Sequence, residues 1–405
     1  MKIKKLAGTG GFPAGLSPLA GAIAVDDAGS VAGECFSGGA PARVLVVVTR
    51  QIGDVLLTTP LIRDARRLWP SAAIDVLGFA GTLGMLAGNA DIRRTIEAPS
   101  RASNESTLAF ARRIWRKYDL AVVTEHSDRA HLYGFFAAAV RVGVVPQEFR
   151  HAWWKRMLLH HAVRRDGDAG SIHVIDEKLR LLAPWRGARS RRAALVTPSA
   201  TPVGGPLRER LRDGYVVVHV PSMWNYKQWP LAHYRELIGA FTAIGRQVVL
   251  TGGASPADRA KIAQVMAGST AADVIDAGGE LELGQVTSLL AGASLYVGPD
   301  GSVTHLAAAV GVPMIAIFGP TNPLRWGPVG SAATREAPWE RHAAAAQTRG
   351  PIVLMQGAGN CVPCGRAGCD DHRDSASRCL QEIAPARVIA RALDLLRSGA
   401  GRLPG

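Results

Sequence analysis

The chain has 405 residues, of which 47% are hydrophobic and 20% charged, and its formal charge is +14. That length exceeds one ordinary core and predicts two domains of roughly 150 to 200 residues; the composition excludes a disordered chain, and no uncharged apolar run reaches the ~18 residues needed to span a bilayer, so the chain is expected to be soluble or at most peripheral. The excess of cations favours polyanionic neighbours such as nucleic acid, an anionic membrane face or phosphorylated substrates, but only eight of the 47 basic residues are Lys and the Arg are scattered, which argues against nucleic acid.

Met1 to Ala42 carries Lys2, Lys4 and Lys5 and then breaks every apolar stretch with Gly, Pro or Asp, so it lacks the h-region of a signal peptide. It reads as a flexible, mis-started extension, residues 1–42. Without export the five cysteines are expected in a reducing compartment, as thiols or a metal site instead of disulfides. Apolar strand-like runs then alternate with helical patterns: "RVLVVVT" with a helix over Val55 to Leu68, "AIDVLGF" with a helix, and "DLAVVTE" with a helix over Ala130 to Val140. Pro, Gly, Ser and Arg interrupt this rhythm from Pro184 to Asp213, which reads as an interdomain linker.

The rhythm restarts with "YVVVHV", a helix from Leu231, "RQVVLTGG", a helix from Pro256, "DVIDAGG", a helix near Gly284 to Ala291, "SLYVGPD", a helix from Val303, and "PMIAIFGP". An irregular cysteine-bearing stretch follows, then a helix over Pro385 to Arg397 with Pro in its first turn and Gly399 beyond its end. The fold class is therefore α/β, with two doubly wound parallel-sheet domains. The expected division is 43–184 for the first domain, 185–213 for the linker, 214–380 for the second domain and 381–405 for the closing helix and tail.

In such sheets ligands bind beyond the carboxyl ends of the strands. Three loops there stand out: Gln51 to Asp54, Pro221 to Lys227 and Gly298 to His305. Asp54 can cap a helix or do chemistry. Lys227 can meet a diphosphate as a point charge or be a solvated surface lysine. Asp300 can bind a sugar hydroxyl or cap the next helix, whose free N–H groups at Gly301 and Ser302 suit phosphate, and His305 can be a neutral hydrogen-bonding residue. No GxGxxG follows the first strand and no GxxxxGK[ST] occurs, so neither a dinucleotide dehydrogenase nor a P-loop ATPase is supported.

The pieces "RQIGDVLLTTPLIRDARRLWP", "KQWPLAHYRELI" and "VGPDGSVTHLAAAVGVPMIAIFGPTNPLRWGP", in that order, resemble glycosyltransferase family 9, the ADP-heptose lipopolysaccharide heptosyltransferases, over roughly Arg43 to Leu396. The tail "CVPCGRAGCDDH" is most similar to the heptosyltransferase III branch. The resemblance implies GT-B architecture, two Rossmann-like domains facing across a cleft, with acceptor on the first and nucleotide sugar on the second. It implies inverting, metal-independent transfer without a cofactor, from ADP-heptose to the lipopolysaccharide inner core, by a cytoplasmic enzyme in peripheral contact with the anionic inner-membrane leaflet. Asp54 matches the catalytic base and Lys227 the diphosphate ligand, with Gly53, Ser222, Met223, Asp300, Gly301, Ser302 and His305 as substrate contacts and Ser255 and Leu281 near the adenosine. Arg63, Arg66 and Arg67 are further candidates for an anionic acceptor.

Two departures stand out. The family order Asp-Ser/Thr-Gly is here Asp300-Gly301-Ser302, and a ribose-binding Glu of some relatives falls near Ser255. Cys361 and Cys364 begin a CxxC continued by Cys369 and Cys379, whose spacing suits a structural zinc less well than ordinary thiols. A family member with another glycan or protein acceptor, and a non-catalytic sugar-nucleotide binding protein, are the alternatives.

Overall fold

The computed structural model describes residues 40–99, 105–148, 150, 152–167, 170–186, 193–268, 270, 272–331, 338–341 and 346–399. The extension as far as residue 39, with Cys35, and residues 187–192 of the linker lie outside the described residues. The first sheet is built from β1 (Arg43–Val48), β2 (Ala73–Phe79), β3 (Arg94–Ala98), β4 (Tyr118–Val123), β5 (Ala138–Val145) and β6 (His161–Arg164). Its strands are all parallel, in the order β3-β2-β1-β4-β5-β6. Helices cover both faces, which is why β1 and β4 are nearly continuous apolar runs with no polar-out alternation.

Around this sheet lie α1 (Ile52–Leu56), α2 (Thr59–Leu68), α3 (Thr107–Ile114), α4 (Asp128–Ala137), α5 (Trp153–Leu158) and α6 (Val174–Leu179). The helix expected over Val55 to Leu68 is two helices, because Pro60 is tolerated only in a first turn and so starts α2. The helix expected after β2 is one 3-10 turn, Leu83–Leu86, hemmed by Gly81 and Gly88 at positive φ. The expected Ala130–Val140 helix stops at Ala137, where an unbroken apolar run passes directly into β5 and hides the boundary.

Two short helices, α7 (Ala183–Arg186) and α8 (Gly205–Arg210), flank the crossing to the second half. Between them the chain is no free tether. Val196 N–H donates to Thr59 Oγ1 and Ser199 N–H to the Ala87 carbonyl on the first half, and Thr201 N–H donates to the Gly284 carbonyl on the second.

The second sheet holds β7 (Val216–His219), β8 (Val248–Thr251), β9 (Val274–Asp276), β10 (Leu295–Pro299), β11 (Met314–Phe318), β12 (Ala346–Arg349) and β13 (Ile352–Gln356). Its order is β12-β13-β11-β10-β7-β8-β9, parallel except for β12 at the edge. The β12–β13 hairpin lies in the stretch expected to be irregular, and it turns at Gly350, whose φ is 51°. Packed on this sheet are α9 (Leu231–Ala243), α10 (Pro256–Met266), α11 (Leu283–Ala291), α12 (Ser302–Val310) and α13 (Pro323–Trp326), followed by α14 (Arg378–Gln381) and α15 (Pro385–Gly399). Gly399 thus ends the last turn of α15 and does not lie beyond it.

Both sheets repeat the doubly wound order: the strands stay parallel, but the chain's progress across the sheet reverses between β1 and β4 and between β7 and β10. Such switch points open a crevice at the carboxyl ends of the strands. The halves are clamped beside it. Arg325, 1% exposed, gives Nη2 to both carboxylate oxygens of Glu177 at 3.0 Å, while the same carboxylate accepts the Asp166 N–H at 2.7 Å. His173 Nε2 lies 3.0 Å from the Gly327 carbonyl, and Asn322 Nδ2 donates to the Gly170 carbonyl.

Removing one partner of a buried ion pair leaves an uncompensated charge in a low dielectric. Glu177→Ala is therefore expected to cost about 3–5 kcal/mol, read from the urea midpoint. The double variant Glu177→Met/Arg325→Leu, which buries no charge, should recover most of that loss; a double variant as unstable as the single one would contradict this assignment.

Candidate active site

The carboxyl end of β1 runs straight into α1, whose N-cap Gln51 is extended and makes no side-chain capping bond. Asp54 sits in the first turn. Its amide donates to the Gln51 carbonyl at 2.9 Å, but its carboxylate accepts no backbone N–H; its partner among the described residues is Arg50 Nε at 3.4 Å. The helix therefore does not use this side chain as a cap, and the carboxylate lines the cleft.

The main chain at Asp54 is held from below. Lys178 on α6 donates from Nζ to the Asp54 carbonyl at 2.9 Å and to Thr58 Oγ1 at 2.6 Å, and the Thr58 hydroxyl donates in turn to the Asp54 carbonyl at 2.7 Å. Lys178 is 3% exposed, and burial pulls its ammonium down to about 8, resisted by the charge of Asp54.

Because folding lowers this pKa from the ordinary 10.5, the unfolded chain holds the proton longer, and the stability linked to Lys178 rises with pH between about 8 and 10.5. Lys178→Met is expected to abolish that rise in the pH dependence of the thermal midpoint. An unchanged rise in the variant would contradict the assignment.

Across the cleft, Lys227 closes a single 3-10 turn after β7, and Asp300 follows β10. Lys227 Nζ lies 2.6 Å from Asp300 Oδ2, with the two side chains 23% and 6% exposed. Burial opposes charge on both, but the partner's charge and the hydrogen bond win: the lysine is raised and the carboxyl lowered, so both are ionised at neutral pH. Burial presses His305 below the ordinary histidine value, leaving it neutral.

Next, α12 starts at Gly301, an extended N-cap, and Ser302. The N–H groups of a first turn have no intrahelical partner and, with the helix dipole, receive an anion. Gly301, Ser302 and Val303 all face the cleft. A Cβ built on Gly53 would lie 3.4 Å from Ser302 Cα and 3.8 Å from His305 Cδ2, so the turn of Asp54 and the head of α12 are near neighbours.

The eleven residues that the resemblance matches to the base, the diphosphate ligand and the substrate contacts all line one cavity of about 870 Å³. They use it differently. Ser222 is buried and ties down the loop, its N–H donating to Gln228 Oε1 and its carbonyl accepting from Lys261 Nζ, whereas Met223 stands 63% exposed. Ser255 caps α10, its hydroxyl oxygen accepting the Asp258 N–H at 3.1 Å. Leu281 gives an apolar patch of wall.

Sequence reasoning missed Lys178, 124 residues from Asp54, and several lining residues: Arg50, Arg165, Lys261 and Arg366, the carboxylate of Asp258, and His219, which burial lowers to about 4. With Lys227, the lining cations outnumber the carboxylates Asp54, Asp258 and Asp300, which suits an anionic ligand. Arg63, Arg66 and Arg67 lie elsewhere: Arg63 and Arg66 bind Asp91 and Arg67 pairs with Asp64.

The cysteine-bearing stretch braces the Lys227 loop. Asn225 Nδ2 donates to the Asp374 carbonyl, the Ser377 hydroxyl donates to the Tyr226 carbonyl, and Arg373 stacks over Trp224. Cys361, Cys364 and Cys369 are exposed free thiols, while burial and the other three cysteines push the buried Cys379 up to about 12. Among the described residues no group of His, Cys, Asp or Glu is arranged to hold a metal ion, and no helix is long and apolar enough to cross a membrane.

Comparison with known proteins gives a consistent picture. A sequence profile described as glycosyltransferase family 9 (heptosyltransferase) matches residues 107–350. Lipopolysaccharide heptosyltransferase 3 of Escherichia coli is 29% identical over 293 residues, 68% of this chain and 83% of that protein. Among solved structures, E. coli ADP-heptose lipopolysaccharide heptosyltransferase II superposes with a TM-score of 0.66 at 20% identity, covering 88% of this chain and 99% of the other. An E. coli heptosyltransferase with ADP gives 0.62 at 20%, covering 87% and 99%.

Proposed function

Because the chain belongs to glycosyltransferase family 9, the heptosyltransferases, we propose that it moves heptose from ADP-heptose to the inner core of lipopolysaccharide by one inverting, metal-independent displacement. The observation that carries this reading is the placement of one uncapped carboxylate, Asp54, across a shared cleft from a Lys227–Asp300 pair and the open head of α12. ADP-heptose is the donor suggested by the relatives, one of which is solved with ADP.

In this reading the acceptor hydroxyl approaches from the side of the first sheet. Asp54 takes its proton as the new bond to the anomeric carbon forms on the face opposite the leaving group. The bond from that carbon to the β-phosphate oxygen breaks, and its electron pair leaves with ADP. Lys227 and the first-turn N–H groups of α12 stabilise the charge gathering on the diphosphate, as fixed donors aimed at a developing anion do. Asp300 shares Lys227 with the diphosphate and accepts from a donor-sugar hydroxyl. Asp258, lining the same wall as Ser255, supplies the carboxylate that Ser255 lacks for the ribose. The acceptor is anchored in lipid, which brings the enzyme to the anionic cytoplasmic face of the inner membrane.

The test is mass spectrometry of core oligosaccharide from a strain lacking the gene, complemented with the wild-type gene. Loss of one heptose unit, restored on complementation, is expected. An unchanged core together with loss of heptose from another glycan or protein would move the acceptor elsewhere, as the second reading within the family has it.

A further inference from the structure

Seven large hydrophobic side chains are exposed among the described residues, and five of them, Leu108, Trp115, Leu132, Trp153 and Met157, stand on or beside three neighbouring helices of the first half. Scattered exposed apolar residues are ordinary; a cluster of this size is not. Helical phase puts them on outward stripes: Leu108 and Trp115 are seven apart with Arg112 between them, Arg129 and Leu132 three apart on α4, and Trp153 and Met157 four apart on α5.

The stripes join. Trp115 packs on Phe136 of α4 with ring centroids 5.9 Å apart, and the Arg116 N–H donates to the Phe136 carbonyl. On the other side, Lys155 of α5 binds the His126 carbonyl and pairs with Asp128 at the start of α4. This last junction lies at the carboxyl end of β4, the strand beside β1, so the face borders the mouth of the cleft on the side of Asp54.

Cations are interleaved with the apolar groups. Arg112, Arg116, Lys117 and Arg129 are exposed and have no carboxylate partner among the described residues; Glu105 is taken by Arg113 and Asp128 by Lys155. Tryptophans with a few flanking aliphatic side chains and exposed Arg and Lys without carboxylate partners, Arg116 and Arg129 lying over the rings of Trp115 and Phe79, match the headgroup zone of an anionic bilayer: rings and Met or Leu sink to the acyl boundary while the cations meet phosphates. A protein interface would instead bring an apolar centre with the charges at its rim.

We propose that the face formed by α3, α4 and α5 is the surface on which the enzyme lies on an anionic bilayer, presenting the cleft mouth to a lipid-anchored acceptor. The inference rests on the lipid-linked acceptor of the functional reading above.

Flotation of the full chain with vesicles of phosphatidylglycerol and phosphatidylcholine, and with phosphatidylcholine alone, tests it. Binding to the mixed vesicles is expected, weakened by salt. Trp115→Ser/Trp153→Ser and Arg112→Glu/Arg116→Glu should each lower the vesicle partition coefficient by about tenfold or more, with turnover on a delipidated core acceptor within about twofold of wild type because no substituted residue lines the cleft. Wild-type protein that ignores anionic vesicles, or variants that bind them as wild type does, would overturn the proposal, as would sedimentation showing that these variants split a dimer. Transfer to soluble acceptor without vesicle binding sinks the docking face alone; vesicle binding without transfer to any core acceptor sinks the functional reading.

Discussion

Asp54→Asn is expected to lower kcat by about 10²–10⁴-fold, the usual contribution of a positioned general base, while ADP binds with unchanged affinity. The substitution is nearly isosteric, and the carboxylate makes no capping bond that α1 would miss. Its carbonyl remains gripped by Lys178 and Thr58, so the turn keeps its shape. Loss of folding therefore cannot imitate loss of chemistry. Single-turnover assays with saturating donor, beside calorimetric titration with ADP, separate the two quantities. A variant that turns over at the wild-type rate would remove Asp54 from the reaction, and one that also loses ADP would make it a donor contact.

Lys227→Ala is expected to cut kcat/KM for the donor by about 10²–10³-fold, in the range of losing one preorganised donor to a developing anion. Part of that loss has a second origin. Without its cation, Asp300 keeps the burial that raises its pKa and loses the charge and hydrogen bond that do most to lower it, keeping only the smaller help of Thr321 and His305, so its carboxyl takes up a proton at higher pH than in wild type. The variant's residual activity should consequently fall on acidification at a higher pH than the wild type's, since the ionised form of Asp300 persists only above its pKa. Lys227→Arg should restore the Asp300 charge but only part of the rate, because a planar guanidinium does not reproduce a compact ammonium. A pH profile that superposes on wild type in Lys227→Ala would show that the pair is not coupled.

Much of this fold is legible in the sequence for definite reasons. Parallel strands buried on both faces, such as β1, β4, β7 and β11, are uniform apolar runs, and their ends carry Gly, Pro and Asp. The site followed from the same rule, since strand ends beside a switch point converge, and Gly53, Asp54, Lys227, Asp300 and Ser302 do line one cavity. What stayed hidden depended on distance or on weak local pattern. β6 and β12 are four residues each, and β5 continues an apolar helix without punctuation. Lys178 looks like any helix lysine until α6 is folded beneath α1, and the Glu177–Arg325 pair joins residues 148 apart. Nor does a CxxC announce that its segment props the loop of Lys227 through Asn225 and Tyr226.

The central claim is that one cleft brings the base and the leaving-group site together, and it is tested most directly by a crystal structure of the protein with ADP. The β-phosphate should lie within hydrogen-bond reach of Lys227 Nζ and the first-turn N–H groups of α12, with the Asp54 carboxylate facing it across an open, sugar-sized space. ADP seated away from Lys227, or a diphosphate walled off from Asp54 by protein, would contradict it.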